Sequence, residues 1–299
     1  MDDYVYSFDN GQLQRGKALR VSRRFMHSLG LPPSHFGEIT EANLNKFVVV
    51  TAANYGHFNE TFDAVASIQK HLPKKRIYYY DIGLKEEQAA QVKIWCNVVY
   101  RKFDFSKFPK HVQDLRVYAW KPLIIQEVLR DHDTMLWMDA SFRLFQPHLD
   151  PATARILKTG YGVVLFSSGG GPNFRKTHKG MYEYLPTDIE RQKRTGMGGA
   201  TAMLLCNTRR TYENVLRWFY LCAMKEQCIA PIKKTKCDVT DDKSVDVYQN
   251  CHRFDQAAIN ILASNVMNFR PDTYVTSRHE GYFFNSTRHP SHMYELQLC

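Results

Sequence analysis

Apolar positions in the first half of the chain fall into short blocks that alternate between two periods. Residues 45–51 (NKFVVVT) form a β-branched run, the pattern of a buried strand. Residues 61–71 then place Phe62, Val65, Ala66 and Ile68 at helical spacing. The unit recurs. A strand over 76–80 ends in Asp81, a helix spans 85–95, and a strand over 97–100 is followed by Asp104. A helix over 120–130 carries Pro122 in its first turn, where a missing N–H costs nothing. A strand over 134–138 follows and ends in Asp139. Strands alternating with helices predict an α/β domain built on a mainly parallel sheet flanked by helices.

The second half is less regular. Strands are expected at 161–166 and 200–206, an amphipathic helix at 212–224 and a helix at 257–264. The glycine-rich run 167–171 reads as a plain turn; no Lys-Ser/Thr pair follows at Walker spacing, which excludes a P-loop. Residues 1–44 show no sustained period, and Leu31-Pro32-Pro33 interrupts the basic group Arg15, Lys17, Arg20, Arg23 and Arg24. This segment reads as a stem or lead-in rather than core, with one domain over 45–299.

Asp81, Asp104 and Asp139 each stand at or just after the end of a strand. Ligands of open α/β sheets bind at the carboxyl ends of the strands. Three aspartates on one such edge would form an acidic rim suited to a divalent cation or a ribose.

Composition narrows the classes. Of 299 residues, 44% are hydrophobic and 23% charged, ordinary values for a folded domain. The formal charge of +10 raises nucleic acid, an anionic surface or a phosphorylated small substrate as partners. The cations are scattered in short groups such as Lys74-Lys75-Arg76, Arg191–Arg194 and Lys233-Lys234-Thr235-Lys236. No basic arm, zinc-finger spacing or aromatic–basic RNP pattern accompanies them, so nucleic acid is set aside and a diffuse basic surface is expected. No run of 18 apolar residues predicts a membrane span, and residues 1–10 lack the features of a signal peptide.

Four of the seven cysteines, Cys222, Cys228, Cys237 and Cys251, lie within 30 residues of a polar stretch. A loop with little apolar content needs staples, and the spacings lack a C-x2-C pair for zinc. The four are expected to pair among themselves, with Cys206 a further candidate. Two glycosylation sequons, Asn59-Glu60-Thr61 and Asn285-Ser286-Thr287, join the cysteines in favouring the secretory pathway.

The residues in this order resemble a family. A strand ends in Thr51-Ala52-Ala53-Asn54; Trp120-Lys121-Pro122 opens a helix; Trp137-Met138-Asp139-Ala140-Ser141 ends a strand; Gly198-Gly199 precedes another; and His252-Arg253-Phe254-Asp255-Gln256 opens a helix. Over about residues 45–270 this is similar to GT-A glycosyltransferases, and especially to the poorly characterised invertebrate proteins labelled DUF1647. The resemblance implies a GT-A-like, Rossmann-like single domain with a disulfide-bearing loop. Its expected activity is transfer of a sugar, a hexose first, from a nucleoside-diphosphate sugar to a glycan or glycoprotein acceptor in the Golgi or ER lumen. Thr51, Asn54, Tyr55 and Asp81 would contact the base and ribose. Lys121 would face the sugar diphosphate, with Ser141 and Arg143 beside it. Asp139 would hold the ribose or a metal ion such as Mn2+. Asp255 would act as base or hydroxyl ligand next to Gln256, and His279 would be a late metal ligand.

One position departs from the family. The motif is Asp-x-Asp, and Ser141 stands at its last position. A hydroxyl replaces poorly a carboxylate around a hard cation. Three readings stay open: Asp139 and a distant histidine suffice; Lys121 or Arg143 neutralises the diphosphate without metal; or the protein is a catalytically silent sugar- or nucleotide-binding relative. Each residue also has a plain role to weigh. Asp255 can be a helix N-cap, Lys121 a solvated first-turn residue, and His279 a surface histidine.

Overall fold

The computed structural model describes residues 4–147, 149–166, 168–238, 245–276, 280, 283–284 and 294–299. Its centre is a six-stranded sheet of β1 (Val48–Ala53), β2 (Ile77–Asp81), β3 (Val98–Lys102), β4 (Thr134–Met138), β5 (Val163–Leu165) and β6 (Ala202–Cys206). The spatial order is β3-β2-β1-β4-β6-β5. The first four strands run parallel, while β6 is antiparallel to both β4 and β5. This is the mainly parallel, helix-flanked α/β architecture expected of a GT-A-like domain.

Strand side chains alternate faces, so β1, β2 and β4 split cleanly between two layers. Val50, Ala52, Tyr78, Tyr80 and Trp137 join one core; Val49, Ala53, Tyr79, Leu136 and Met138 join the other. Helices α1 (Phe58–His71) and α2 (Glu86–Val92), and α4 (Asp150–Thr159), contribute to the second core. Helices α3 (Trp120–Asp131), α5 (Arg217–Met224) and α6 (Phe254–Val266) pack in the first.

Several expectations need revision. The 167–171 turn falls on a segment of which Ser168–Pro172 pairs antiparallel with Gly196–Gly198. The supposed amphipathic helix is a continuous helical run from Arg209 to Met224 with a π-helical stretch at Tyr212–Leu216, and all eight residues of α5 are buried. The exposed positions of the run, Arg209, Arg210, Glu213 and Asn214, precede α5, which α3, α6 and the short helix Glu226–Ile229 cover. The lead-in segment also reaches the core: Val5, Leu19, Leu29 and Leu31 are buried in the first layer. Its apolar residues are single anchors in irregular backbone, so no period announces them.

Cysteine pairing follows the expected grouping, with Cys222–Cys228 and Cys237–Cys251 bonded. Cys206 does not join them; it is buried in β6 as a free thiol, pushed up to about 12 by burial. The Cys222–Cys228 bond lies within the core rather than stapling a coreless loop. A third bond, Cys96–Cys299, ties the C-terminus to the β3 approach, where both amide ends of Gln69 hold the Gln297 backbone. Three disulfides suit an oxidising compartment. Among the described residues, no helix is long and apolar enough to cross a membrane.

Candidate active site

Chain order reverses between β1 and β4, and the crevice at such a switch point is where α/β sheets bind ligands. Asp139 follows β4 directly. Its amide donates to the Thr201 carbonyl at 2.8 Å, and its Oδ1 accepts the Trp137 indole N–H at 2.7 Å. Lys121 comes from the first turn of α3 and Asp255 from the first turn of α6. The two helices converge so that Lys121 Nζ lies 3.0 Å from Asp139 Oδ1 and 3.0 Å from Asp255 Oδ2. It also donates to the Ala200 carbonyl at 3.2 Å and lies 5.6 and 5.4 Å from the centroids of the Tyr118 and Trp137 rings.

Lys121 and Asp255 are buried and Asp139 is half-buried, and the electrostatics follow from that. Burial works against the charged Lys121 amine, but Asp139 and Asp255 together outweigh it and hold the ammonium above its ordinary value. Burial pushes Asp255 upward; Lys121 opposes this, and Asp139 adds to it. An ammonium has three N–H donors. Among the described residues Lys121 hydrogen-bonds the Ala200 carbonyl and is held between the two carboxylates as an ion partner, while Asp255 Oδ2 has no hydrogen-bond partner. The ammonium thus sits between the two carboxylates at the cavity floor.

Both helix starts are strained. Tyr118 (φ 53°) and Phe254 (φ 35°) are left-handed non-glycine residues just before Lys121 and Asp255, and their rings lie 6.2 Å apart. Each left-handed residue costs about 1–2 kcal/mol, and such strain concentrates at functional sites. The strain serves to turn each chain sharply into its helix with the polar side chain inward. Asp255 is accordingly not the N-cap; Arg253 holds that position.

Above the triad opens a cavity of about 510 Å3 that Lys121, Asp139, Asp255 and Gln256 line together with Tyr118 and Arg253. Gln256 donates to the Gly198 carbonyl at 3.0 Å, and Asn260 clamps the same glycine through its N–H and its carbonyl. A side chain at Gly198 would meet Leu165 at 2.8 Å, so the close approach itself requires glycine.

The other predicted residues sit elsewhere. Asn54 Oδ1 accepts from the Gly56 and His57 amides, and Asp81 caps Gly83 and Leu84 while accepting the Tyr100 hydroxyl. Tyr55 hydrogen-bonds Gly83 through its backbone and leaves its ring 63% exposed. Asn54, Tyr55 and Asp81 thus form a neighbouring set of loop residues outside the triad cavity. Thr51 is wholly buried within β1. Arg143 points into the fold, held by Asp63 at 3.4 Å and by the Ala140 and Phe142 carbonyls, so it cannot neutralise a diphosphate in this arrangement. Asp104 is exposed and caps Ser106. The three strand-end aspartates therefore do not line one cavity: Asp81 is engaged by its own turn and by Tyr100, and Asp104 by its own turn.

Residues 29–126 match the family described as Protein of unknown function (DUF1647). The DUF1647 segment holds Thr51, Asn54, Tyr55, Asp81 and Lys121, while Asp139 and Asp255 lie beyond it. No curated protein matches the chain. Among solved structures, the galactosyltransferase LgtC in complex with donor and acceptor sugar analogs is similar at 16% identity, over 72% of this chain and 70% of that one, with a TM-score of 0.40. The glycosyltransferase GlyE of Streptococcus pneumoniae TIGR4 is similar at 14% identity, over 77% of this chain and 44% of that one, with a TM-score of 0.42. The bifunctional glycosyltransferase WbbM gives 13%, 77%, 38% and 0.41. The chain thus spans less than half the length of the GlyE and WbbM structures. At this identity and TM-score the likeness bears on neither activity nor substrate.

A divalent cation fits the described residues poorly. Asp139 and Asp255 already share one ammonium, which occupies the space between them, and Ser141 in the turn after Asp139 offers a neutral oxygen. Among the described residues no group of three or more His, Cys, Asp or Glu side chains is placed to hold a metal. His279 lies outside the described residues.

Sequence reasoning missed Tyr118, Asn260, Arg253 and Lys236. Arg253 stood in the quoted His252–Gln256 motif without a role. Lys236 was read as part of a diffuse basic surface, since nothing local says that its loop folds back over the site.

Proposed function

We propose that the chain is a nucleotide-sugar-dependent glycosyltransferase of the secretory pathway, acting in the Golgi or ER lumen on a glycan or glycoprotein acceptor. The observation that carries this reading is the buried Lys121 linking Asp139 and Asp255 at the floor of a polar cavity, at the carboxyl end of a parallel strand. In this reading Asp139 takes a donor hydroxyl, and the exposed Tyr55 ring offers a face to the base beside Asn54 and Asp81. The acceptor hydroxyl attacks the anomeric carbon, the bond from that carbon to the diphosphate oxygen breaks, and the acceptor proton passes to Asp255. Burial lifts the affinity of Asp255 for that proton while Lys121 keeps the carboxylate available, which is the balance a general base needs. The three disulfides support the compartment.

The test is a nucleotide panel by thermal shift followed by donor hydrolysis. A binder present at 100 times its Kd stabilises by about 2.7 kcal/mol. A nucleoside diphosphate should raise the melting temperature of wild type and fail to do so for a folded Asp139→Asn protein. UDP-sugar hydrolysis should accompany binding in wild type. Binding without turnover under any condition would favour the silent relative, a reading that the neutral Ser141 also motivates. No binding by any nucleotide would end both.

A further inference from the structure

The mouth of the triad cavity carries more positive charge than the triad needs. Arg116 and Lys233 line it, but Asp114 holds both, and Glu226 also holds Lys233. Lys236 and Arg253 line it as well, both exposed, and among the described residues neither has an acidic partner. These two come from strands of chain that are bolted together. Cys237, next to Lys236, is bonded to Cys251, two residues before Arg253. The His252 amide donates to the Lys234 carbonyl at 2.8 Å, and the Asp238 amide to Gln249 at 2.9 Å. The buried His252 ring fixes the junction, with Nε2 3.1 Å from the Ile229 carbonyl and Nδ1 accepting the His178 amide at 3.2 Å. Two cations with no acidic partner among the described residues are thus held on a disulfide-closed strap beside Asp255, where the described residues supply no metal site and where Lys121 is already engaged by two carboxylates.

We propose that Lys236 and Arg253 form a metal-independent diphosphate subsite, set in place by the Cys237–Cys251 bond. The proposal rests on the glycosyltransferase reading for its biological ligand, a nucleoside-diphosphate donor with two phosphate charges that two cations balance. Arg253 brings a planar fork that matches phosphate oxygens, and Lys236 a mobile point charge. The strap thereby does what a divalent cation does elsewhere, placing positive charge where the leaving group gains negative charge.

The experiment is calorimetric binding of inorganic pyrophosphate, UDP and uridine in EDTA, with inorganic sulfate as an anion control. The proteins are wild type, Lys236→Ala/Arg253→Ala and Cys237→Ser/Cys251→Ser. Pyrophosphate and UDP should bind wild type in EDTA more tightly than sulfate. Loss of two exposed charge contacts should weaken both by about tenfold while leaving the uridine affinity unchanged. The cysteine variant, if folded by circular dichroism, should show a comparable loss. Pyrophosphate binding without any gain from uridine would keep the subsite and remove the nucleotide-sugar reading. Dependence of pyrophosphate binding on Mn2+, equal affinity for sulfate, or unchanged affinity in the double-alanine protein would each overturn the subsite. Unchanged affinity in the cysteine variant would overturn the role of the bond.

Discussion

Replacing Lys121 by Met removes one charge and leaves two carboxylates facing the space it occupied. Its Nζ is 3.0 Å from each partner, and Asp255 is nearly as buried as Lys121 itself. Breaking a buried pair by deleting one partner typically costs about 3–5 kcal/mol, because the surviving charge is stranded. Unfolding entropy near 2.1 cal/mol/K per residue gives about 0.6 kcal/mol/K for a chain of this length, so the melting temperature should fall by about 5–8 °C at pH 8. The sign of the pH dependence follows from Asp255. Its folded affinity for protons is raised, so the folded state binds more protons than the unfolded one and stability falls as pH rises through that range. Removing Lys121 withdraws the opposing attraction and enlarges the effect, so the deficit should shrink toward pH 5. Lys121 itself is also raised, so its contribution is full below the ordinary lysine value of 10.5 and is lost above it; wild type should lose its advantage over the variant in strong alkali. Adding Asp255→Asn to Lys121→Met should recover part of the loss. The assay is thermal denaturation from pH 5 to 11 for the three proteins. A variant melting within 1 °C of wild type at pH 8, or one whose deficit grows on acidification, refutes the buried-clamp account.

Other outcomes follow from the same geometry. Burial depresses His252 to about 3, so its neutral-state stability is full above the ordinary histidine value of 6.5 and is lost as pH falls toward 3; about 3–5 kcal/mol rides on that interval, and His252→Gln should flatten the acid limb of a denaturation series. Asn260→Ala removes the acceptor of the Gly198 amide and one donor each from the Gly198 and Gln256 carbonyls, the former keeping Gln256, and chemical denaturation should report a loss of about 1–3 kcal/mol. Cys237→Ser/Cys251→Ser opens a link between residues 14 apart and should lower stability by at most about 3 kcal/mol in urea titration, with the six-stranded sheet intact by circular dichroism.

Sequence alone determined the central architecture. The strands at 48–53, 77–81 and 134–138 each carry an apolar run broken by turn chemistry, and a strand buried on both faces announces itself that way; the half-buried edge strand at 98–102 shows only a shorter run. The helix holding Lys121 was readable for the same reason, and so was the grouping of four cysteines. The irregular parts were not: single anchors such as Leu19 and Leu29 have no period, and a helix covered on several sides, such as Arg217–Met224, has no polar face to display. Lys121, Asp139 and Asp255 were nominated one by one, but their meeting was not predictable. It depends on where α3 and α6 start in space, which two left-handed residues and the packing against β4 decide. Hydrogen-bond capacity was decided there too. A sequence shows that an ammonium or a carboxylate exists, while only the tertiary structure shows that Lys121 lies between two carboxylates, that Asp81 has capped its own turn, that Arg143 points inward, and that among the described residues Lys236 and Arg253 line the mouth without an acidic partner. Side-chain chemistry is a local property, but which groups remain free for a ligand is set by contacts between residues far apart in the chain.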